Sequence, residues 1–341
     1  MAMNNSEKIN LSGQERVLIV RPDHIGDLVL TLPIAKCLRD NYPKLHIEFL
    51  VSNYNAPLLK YVNYIDGYII LDYTKSQPGH LISQLDKGRY HIAIFAKPGW
   101  LTVFASFIAD IPVRIGTARR PYSLLFNKKL NYSRKHSNYH ESELNLMMLQ
   151  ALGIKPDLRT ALPEIQVDSS GRANLAGIAK DEAYVVIHPG SKGSAPNWPV
   201  ESYVKLMDKL SDQKKVVVTG KDESIPELPG KVINLVDKTD FDGLLSIISK
   251  ASLFISGSTG PLHVASACGV PVIGLFPDHP VLGPQRWGPR GKNATYLTPS
   301  KQNEADIRKN NNVKCIDLSK ISVETVYKKA LELLEMQAIK T

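Results

Sequence analysis

The sequence predicts an α/β protein built from two similar doubly wound domains, and three observations carry that prediction. The chain has 341 residues, 43% of them hydrophobic, enough for two medium domains that each bury a core. Short β-branched runs alternate with helical patterns along its length, as in βαβ units whose parallel sheets are covered by helices on both faces. The alternation pauses at 155–171, which holds Pro156, Pro163 and a Ser-Ser-Gly, and then restarts. The expected domains are therefore 1–165 and 166–341.

Taken in order, the first domain opens with an expected strand at Arg16–Val20 and a polar loop, Arg21–Gly26. A helix is expected from about Asp27 to Tyr42, stopped by Pro43, followed by a strand at His46–Val51. Further strands are expected at Tyr68–Leu71, His91–Phe95 and Val113–Ile115, and a helix near Glu141–Leu152 that ends at Gly153. In the second domain strands are expected at Tyr184–His188, Lys215–Thr219, Val232–Leu235, Leu253–Ser256 and Pro271–Phe276. Helices are expected near Pro199–Leu210, Phe241–Lys250 and Pro261–Cys268. A last amphipathic helix, near Val323–Met336, is a candidate to pack back on the first domain. Ligands of such sheets bind at the carboxyl ends of the strands, here in an expected cleft between the domains.

Composition narrows the function classes. Mean hydropathy is slightly negative, and no apolar run reaches the roughly 18 residues of a membrane span. The opening residues, MAMNNSEKIN, carry no apolar signal core, so the expected location is cytoplasmic. Cys37, Cys268 and Cys315 lie far apart without C-x-x-C spacing, which fits reduced thiols rather than a disulfide frame or zinc site. The net charge of +9 is uneven: residues 1–165 hold 20 Lys and Arg against 14 Asp and Glu. Between Asp110 and Glu141 there is no acid, while Arg114, Arg119, Arg120, Lys128, Lys129, Arg134 and Lys135 are all present. Such a field attracts phosphorylated sugars or acidic lipid head groups; the bland alternative is a solvated basic surface. No RNA- or DNA-binding motif accompanies it, so nucleic acid is not an expected partner.

Four loops carry the residue types that chemistry needs. The first, Arg21-Pro-Asp-His-Ile-Gly-Asp27, joins a strand to a helix. Asp23 and Asp27 project into it beside Arg21 and His24, and a carboxylate there can take a proton from a hydroxyl nucleophile. The rival role for Asp27 is a helix N-cap. The loop is not G-x-G-x-x-G, which argues against a dinucleotide enzyme such as an epimerase or dehydrogenase. The second loop, His188-Pro-Gly-Ser-Lys-Gly-Ser194, leads through Asn197-Trp-Pro199 toward a helix. Gly190, Ser191, Gly193 and Ser194 offer backbone N–H groups and hydroxyls, and Lys192 adds positive charge, as a phosphate or diphosphate requires. In the third, Ser256-Gly-Ser-Thr-Gly-Pro-Leu-His263, Ser258 or Thr259 can cap a helix started by Pro261, and a helix start stabilises a leaving diphosphate without a metal. The fourth, Thr219-Gly-Lys-Asp-Glu223, places Gly220, Lys221 and Asp222 at a strand end, where a ribose or phosphate can be held; an exposed turn is the equal alternative.

Taken together, Val17-Leu-Ile-Val-Arg-Pro-Asp-His-Ile-Gly-Asp-Leu-Val-Leu-Thr-Leu-Pro33, His188-Pro-Gly-Ser191, Asn197-Trp-Pro199 and Ser258-Thr-Gly-Pro-Leu-His263 resemble glycosyltransferase family 9, the bacterial lipopolysaccharide heptosyltransferases. The likeness spans about residues 15–280. It implies the GT-B fold, two Rossmann-like domains facing across a cleft, with acceptor handled by the first and nucleotide-sugar donor by the second. It implies inverting transfer, typically from ADP-L-glycero-D-manno-heptose to a core sugar of lipopolysaccharide, with no cofactor and no metal. Under the resemblance Asp27 matches the catalytic base, and Gly190–Ser194 the diphosphate loop. Thr259, Gly260 and His263 match the second donor loop, and Gly220–Glu223 fall near the nucleoside contacts. Arg21, Arg114, Arg119 and Arg120 would then face an anionic glycolipid acceptor, with peripheral contact at the inner membrane. Two positions depart from the pattern. Pro196 stands where some members have lysine, a charge Lys192 is placed to replace, and Ser258 stands where better-known members have Asp. That second departure bears on the sugar carried, not on the fold or reaction class. The alternatives are a family-9 transferase using a non-heptose nucleotide sugar, and a non-catalytic protein that binds sugar nucleotides or lipid glycans.

Overall fold

A computed structural model describes residues 11–72, 78–134, 137–167, 178, 182–191, 193, 195–221, 225, 228–299 and 317–338. The chain divides into two units, Met1–Glu164 and Ile165–Thr341.

In the first unit the strands are β1 (Arg16–Val20), β2 (His46–Ser52), β3 (Gly67–Leu71), β4 (Ile92–Phe95), β5 (Val113–Thr117) and β6 (Lys128–Leu130). They form one parallel sheet in the order β3-β2-β1-β4-β5-β6. Val17, Leu18, Ile19 and Val20 are fully buried, as a central strand covered on both faces demands. Burial of each such side chain contributes about 1.5–3 kcal/mol, more than the ~1 kcal/mol that strand propensities span. The helices are α1 (Ile25–Val29), α2 (Leu32–Asn41), α3 (Pro78–Gly88), α4 (Trp100–Ile108) and α5 (Glu141–Leu146). One core cluster packs Leu18, Val20, Ala93 and Phe95 of the central strands against Leu81 and Leu85 of α3 and Val103 of α4.

The second unit repeats the plan. Its strands are β7 (Tyr184–His188), β8 (Lys215–Val218), β9 (Ile233–Asn234), β10 (Leu253–Gly257), β11 (Val272–Leu275) and β12 (Ala294–Leu297), parallel in the order β12-β11-β10-β7-β8-β9. Its helices are α6 (Val200–Ser211), α7 (Phe241–Ser249), α8 (Gly260–Ala267), α9 (Pro284–Trp287) and α10 (Val323–Ala338). Helix α10 is part of this unit's own core: Val326, Ala330 and Leu334 pack with Leu206, Leu210 and Val216. Trp198, Tyr203 and Ile321 join the same cluster, and the Trp198 indole donates to Ile321 O at 2.9 Å.

Both sheets share the doubly wound order, in which ligands collect where the strand order reverses. That point lies between β1 and β4 in the first unit and between β7 and β10 in the second. Several elements differ from the sequence expectation. The helix expected from Asp27 to Tyr42 is two helices broken at Leu30–Thr31. Pro33 is the cause, since it has no N–H to give to the carbonyl four residues back and instead opens α2. The helix expected at Glu141–Leu152 turns into a tighter 3-10 segment from Met147 to Leu152, closed by Gly153 at φ +77°. Helices α3, α4 and α9 and strands β6 and β12 stand outside the sequence expectation: β6 is only Lys-Lys-Leu, and α4 turns its polar residues Thr102 and Ser106 inward.

Candidate functional site

At the first switch point the chain leaves β1 into Arg21–His24 and enters α1. The loop is fixed from behind by Asn55, whose amide donates to Arg21 O at 3.1 Å and to Asp23 O at 3.4 Å. Asp27 is the third residue of α1, and His24 holds the cap position, so the carboxylate is not an N-cap. Its partner is Arg21, whose Nη2 donates to Asp27 Oδ1. The same guanidinium donates through Nε to Asp23 Oδ1 at 2.8 Å and through Nη1 to Ala96 O at 3.3 Å. Nη1 also lies 3.5 Å from Glu141 Oε1. Arg21 is 3% exposed, while the Asp27 side chain keeps 17% of its surface open. A buried guanidinium thus carries three carboxylates, of which Asp23 and Asp27 keep 15% and 17% of their side-chain surface open and Glu141 is buried.

The network extends beyond the loop. Glu141, 2% exposed at the start of α5, also pairs with Arg134. Arg134 donates to Ala96 O at 3.2 Å and to Asn145 Oδ1 at 2.9 Å. The Asn145 amide donates to Leu30 O and Thr31 Oγ1, both at 3.1 Å, and Thr31 Oγ1 donates to Asp27 O at 2.8 Å. The break between α1 and α2 is thereby held from α5, which fixes the backbone that presents Asp27. Lys97, just past β4, stands 3.9 Å from Asp23 Oδ2. Burial pushes the Asp23 carboxyl above its ordinary range; the Arg21 charge opposes this and the Asp27 charge adds to it.

The basic residues expected at an acceptor do not share one environment. Arg21 is buried on carboxylates. Arg114 is half-buried, donates to Ile111 O and Leu125 O, and lies over the Phe107 ring at 5.3 Å. Burial lowers its pKa from the ordinary arginine value. Arg119 and Arg120 follow β5 and are exposed, Arg119 donating from Nε to Tyr132 O at 3.1 Å.

At the second switch point the loop after β7 carries two glycines in the left-handed region, Gly190 at φ +81° and Gly193 at φ +77°. The Ser191 hydroxyl donates to Ala195 O at 2.7 Å and accepts from Ala195 N at 3.3 Å, closing the loop on itself. Thr259 caps α8, its Oγ1 accepting from Leu262 N at 3.4 Å, and Gly260 and Pro261 begin the helix. The Ser256 hydroxyl links the strands, donating to His188 O at 2.8 Å and lying 2.9 Å from Thr259 Oγ1. His188 Nδ1 lies 3.0 Å from Thr219 Oγ1, which draws in the end of β8 and the neighbouring Gly220. His263 is buried in the first turn of α8, and Ser258 is half-buried just before it. The structure thus brings Ser191, Gly190, Thr259 and Gly260 to adjacent strand ends. Lys192, Ser194 and Asp222 lie outside the described residues. Among the described residues no cluster of three or more His, Cys, Asp or Glu is placed to hold a metal.

Sequence reasoning missed Glu141, Arg134, Asn145, Thr31 and Asn55. A signal for Glu141 exists: it ends the long acid-free basic interval, and a carboxylate at a helix start flanked by His140 and Glu143 of a capping box is a candidate for burial against arginine.

Comparison with known proteins follows the same lines. The profile of glycosyltransferase family 9 (heptosyltransferase) matches residues 79–317. Lipopolysaccharide heptosyltransferase 3 of Escherichia coli is 26% identical over 276 residues, covering 74% of this chain and 79% of that one. In fold, the chain matches the crystal structure of a family 9 glycosyltransferase from Veillonella parvula with a TM-score of 0.78, at 21% identity over 94% of this chain and 97% of the other. It matches the E. coli ADP-heptose lipopolysaccharide heptosyltransferase II with a TM-score of 0.77, at 19% identity over 95% and 99%. The chain thus has the GT-B fold of those structures, with one Rossmann-type sheet in each unit.

Proposed function

Because the chain belongs to glycosyltransferase family 9, the heptosyltransferases, we propose that it transfers a sugar, in the first instance heptose from ADP-heptose, to a lipopolysaccharide core or related glycan, with inversion and without a metal. The observation that carries the reading is the partly open Asp27 carboxylate held on buried Arg21 at the first switch point.

In this mechanism the acceptor hydroxyl gives its proton to the Asp27 carboxylate as its oxygen attacks the anomeric carbon. The bond from that carbon to the diphosphate oxygen breaks, and a single displacement inverts the centre. The nucleoside diphosphate leaves with its charge on the Gly190–Ser194 loop and the start of α8 at Thr259–Gly260, where backbone N–H groups and the helix dipole favour an anion. Lys192 supplies the positive charge that Pro196 does not. His263, Gly220 and Asp222 complete the donor side. Arg119 and Arg120 face the anionic acceptor and the membrane that carries it. Arg21, because its guanidinium is buried on carboxylates, serves Asp27 instead, and Arg114 serves the backbone around it. The protein works in the cytoplasm, in peripheral contact with the inner membrane that carries its acceptor; among the described residues no helix is long and apolar enough to cross one.

Asp27→Asn keeps the shape of the site and removes the base. Transfer should fall by about 10²–10⁴-fold while the donor still binds; near-normal transfer would remove Asp27 from the role. A thermal-shift screen of ADP-, UDP- and GDP-sugars identifies the donor, since a ligand raises apparent stability by RT ln(1 + [L]/Kd). Ser258 is the reason to include non-heptose sugars.

A further inference from the structure

The first unit exposes an apolar surface that its core does not need. Trp100, Phe104, Phe107 and Ile108 lie along one side of α4 at spacings of three and four residues, and each is at least 44% exposed. Leu124, in the short helical turn Pro121–Leu125 packed beside α4, is 81% exposed. The two segments form one surface: Trp100 meets Tyr122 edge-on at 5.5 Å, and Arg114 joins Phe107 to Leu125. Contiguous patches of this kind on a protein surface mark a place of contact.

Charge selects the partner. The patch is bordered by the stretch from Ile111 to His140, which contains no acid. Arg119, Arg120 and Lys129 are exposed there. Lys129 pairs in register with Gly116. Gly116 lacks a Cβ where one would collide with Phe126, a member of the α4-side core, so alternation puts Lys129 on the same side of the sheet as α4. Asp110, exposed two residues beyond Ile108, is the one acid within residues 100–140. A two-fold contact between copies of this chain would set these cations against their own images, which is unfavourable. A surface with apolar side chains to insert, a tryptophan at its border and cations around it fits an anionic bilayer.

We propose that α4 and the Pro121–Leu125 turn are a docking surface for the face of an anionic lipid bilayer. Leu124 and Trp100 enter the headgroup boundary, and Arg119, Arg120 and Lys129 meet the lipid phosphates. Trp100 lies three residues from Lys97, which approaches Asp23, so docking here brings lipid-anchored glycans toward the Asp27 loop. The proposal rests on the functional reading only for that last consequence; its test needs no donor, no acceptor and no turnover.

The full-length protein is sedimented with vesicles of phosphatidylethanolamine and phosphatidylglycerol, or of phosphatidylcholine alone. The anionic vesicles should bind it at least tenfold more tightly, and high salt should weaken the binding. Leu124→Glu and Phe104→Glu should each reduce it at least tenfold with unchanged melting temperature. Arg120→Glu with Lys129→Glu should lower it comparably, since each basic residue near such a surface adds roughly fivefold, and this variant carries the test should an apolar one melt early. Absence of binding to anionic vesicles would overturn the proposal. So would binding that survives Leu124→Glu, which would leave adsorption by charge alone. A concentration-dependent dimer abolished by Leu124→Glu, without vesicle binding, would overturn it in favour of a second copy.

Discussion

At the first switch point Arg21 gathers Asp23, Asp27 and Glu141 around one buried guanidinium. At the second, Ser256 and Thr259 join the ends of β7 and β10 to the start of α8, and glycines in the left-handed region shape the loop beside them. The strand order is the same in both units, and so is the position of the loops on the sheet. What differs is the currency. The first holds carboxylates in place with full positive charges; the second, among its described residues, is built of hydroxyls, backbone groups and a helix start. In the proposed mechanism Asp27 has to stay ionised and aimed at the acceptor hydroxyl, and a fixed guanidinium partner favours both. In the same proposed mechanism a leaving diphosphate brings its own charge, and hydroxyls, backbone N–H groups and Lys192 receive it without a competing anion. Topology gives the place for a site and leaves its chemistry to the side chains.

The contrast can be broken at either end. Arg21→Leu should have the largest effect on stability, because it leaves three carboxylates around a buried gap; breaking such a pair costs about 3–5 kcal/mol. Urea unfolding measures it, and a loss under about 1 kcal/mol would mean the network behaves as a surface cluster. Thr259→Ala removes a helix cap and should cost about 1 kcal/mol, again by urea unfolding. A loss as large as that of Arg21→Leu would erase the distinction drawn here. The smallest effect is at Asp23. Its folded pKa lies above the ordinary value, chiefly through burial, so ionisation costs stability once pH exceeds that value. Asp23→Asn should therefore melt slightly above the parent at neutral pH. The gain should vanish at about pH 3, where both folded and unfolded chains carry the proton. A variant that melts lower at neutral pH would show that the Arg21 contact outweighs burial.

The second switch point was the more legible in sequence. Thr259 and Pro261 are a cap and a first-turn proline, and both act locally, within a few residues of the glycines beside them. The strand–loop–helix context of Asp27 was equally readable. What surrounds Asp27 was not, because its partners arrive from across the fold. Glu141 stands 120 residues from Arg21, and Asn145 stands 115 from Leu30. Arg21 itself reads as exposed, since an arginine in a loop after a strand is seldom 3% accessible. Only the packing of α5 against α2, which brings Glu141 to the guanidinium, reveals it as the centre of this network. The α1–α2 break had a local sign in Pro33, overridden in the helical reading by the apolar period on either side.

The measurement closest to the central claim compares the two switch points in one experiment: kcat and donor KM for Asp27→Asn and Thr259→Ala with the same donor and acceptor. Asp27→Asn should lower kcat by about 10²–10⁴-fold and leave donor KM near the parent value. Thr259→Ala should raise donor KM and leave kcat within about tenfold. An Asp27→Asn enzyme that keeps its kcat and loses donor affinity instead would contradict the assignment of the base to the first unit.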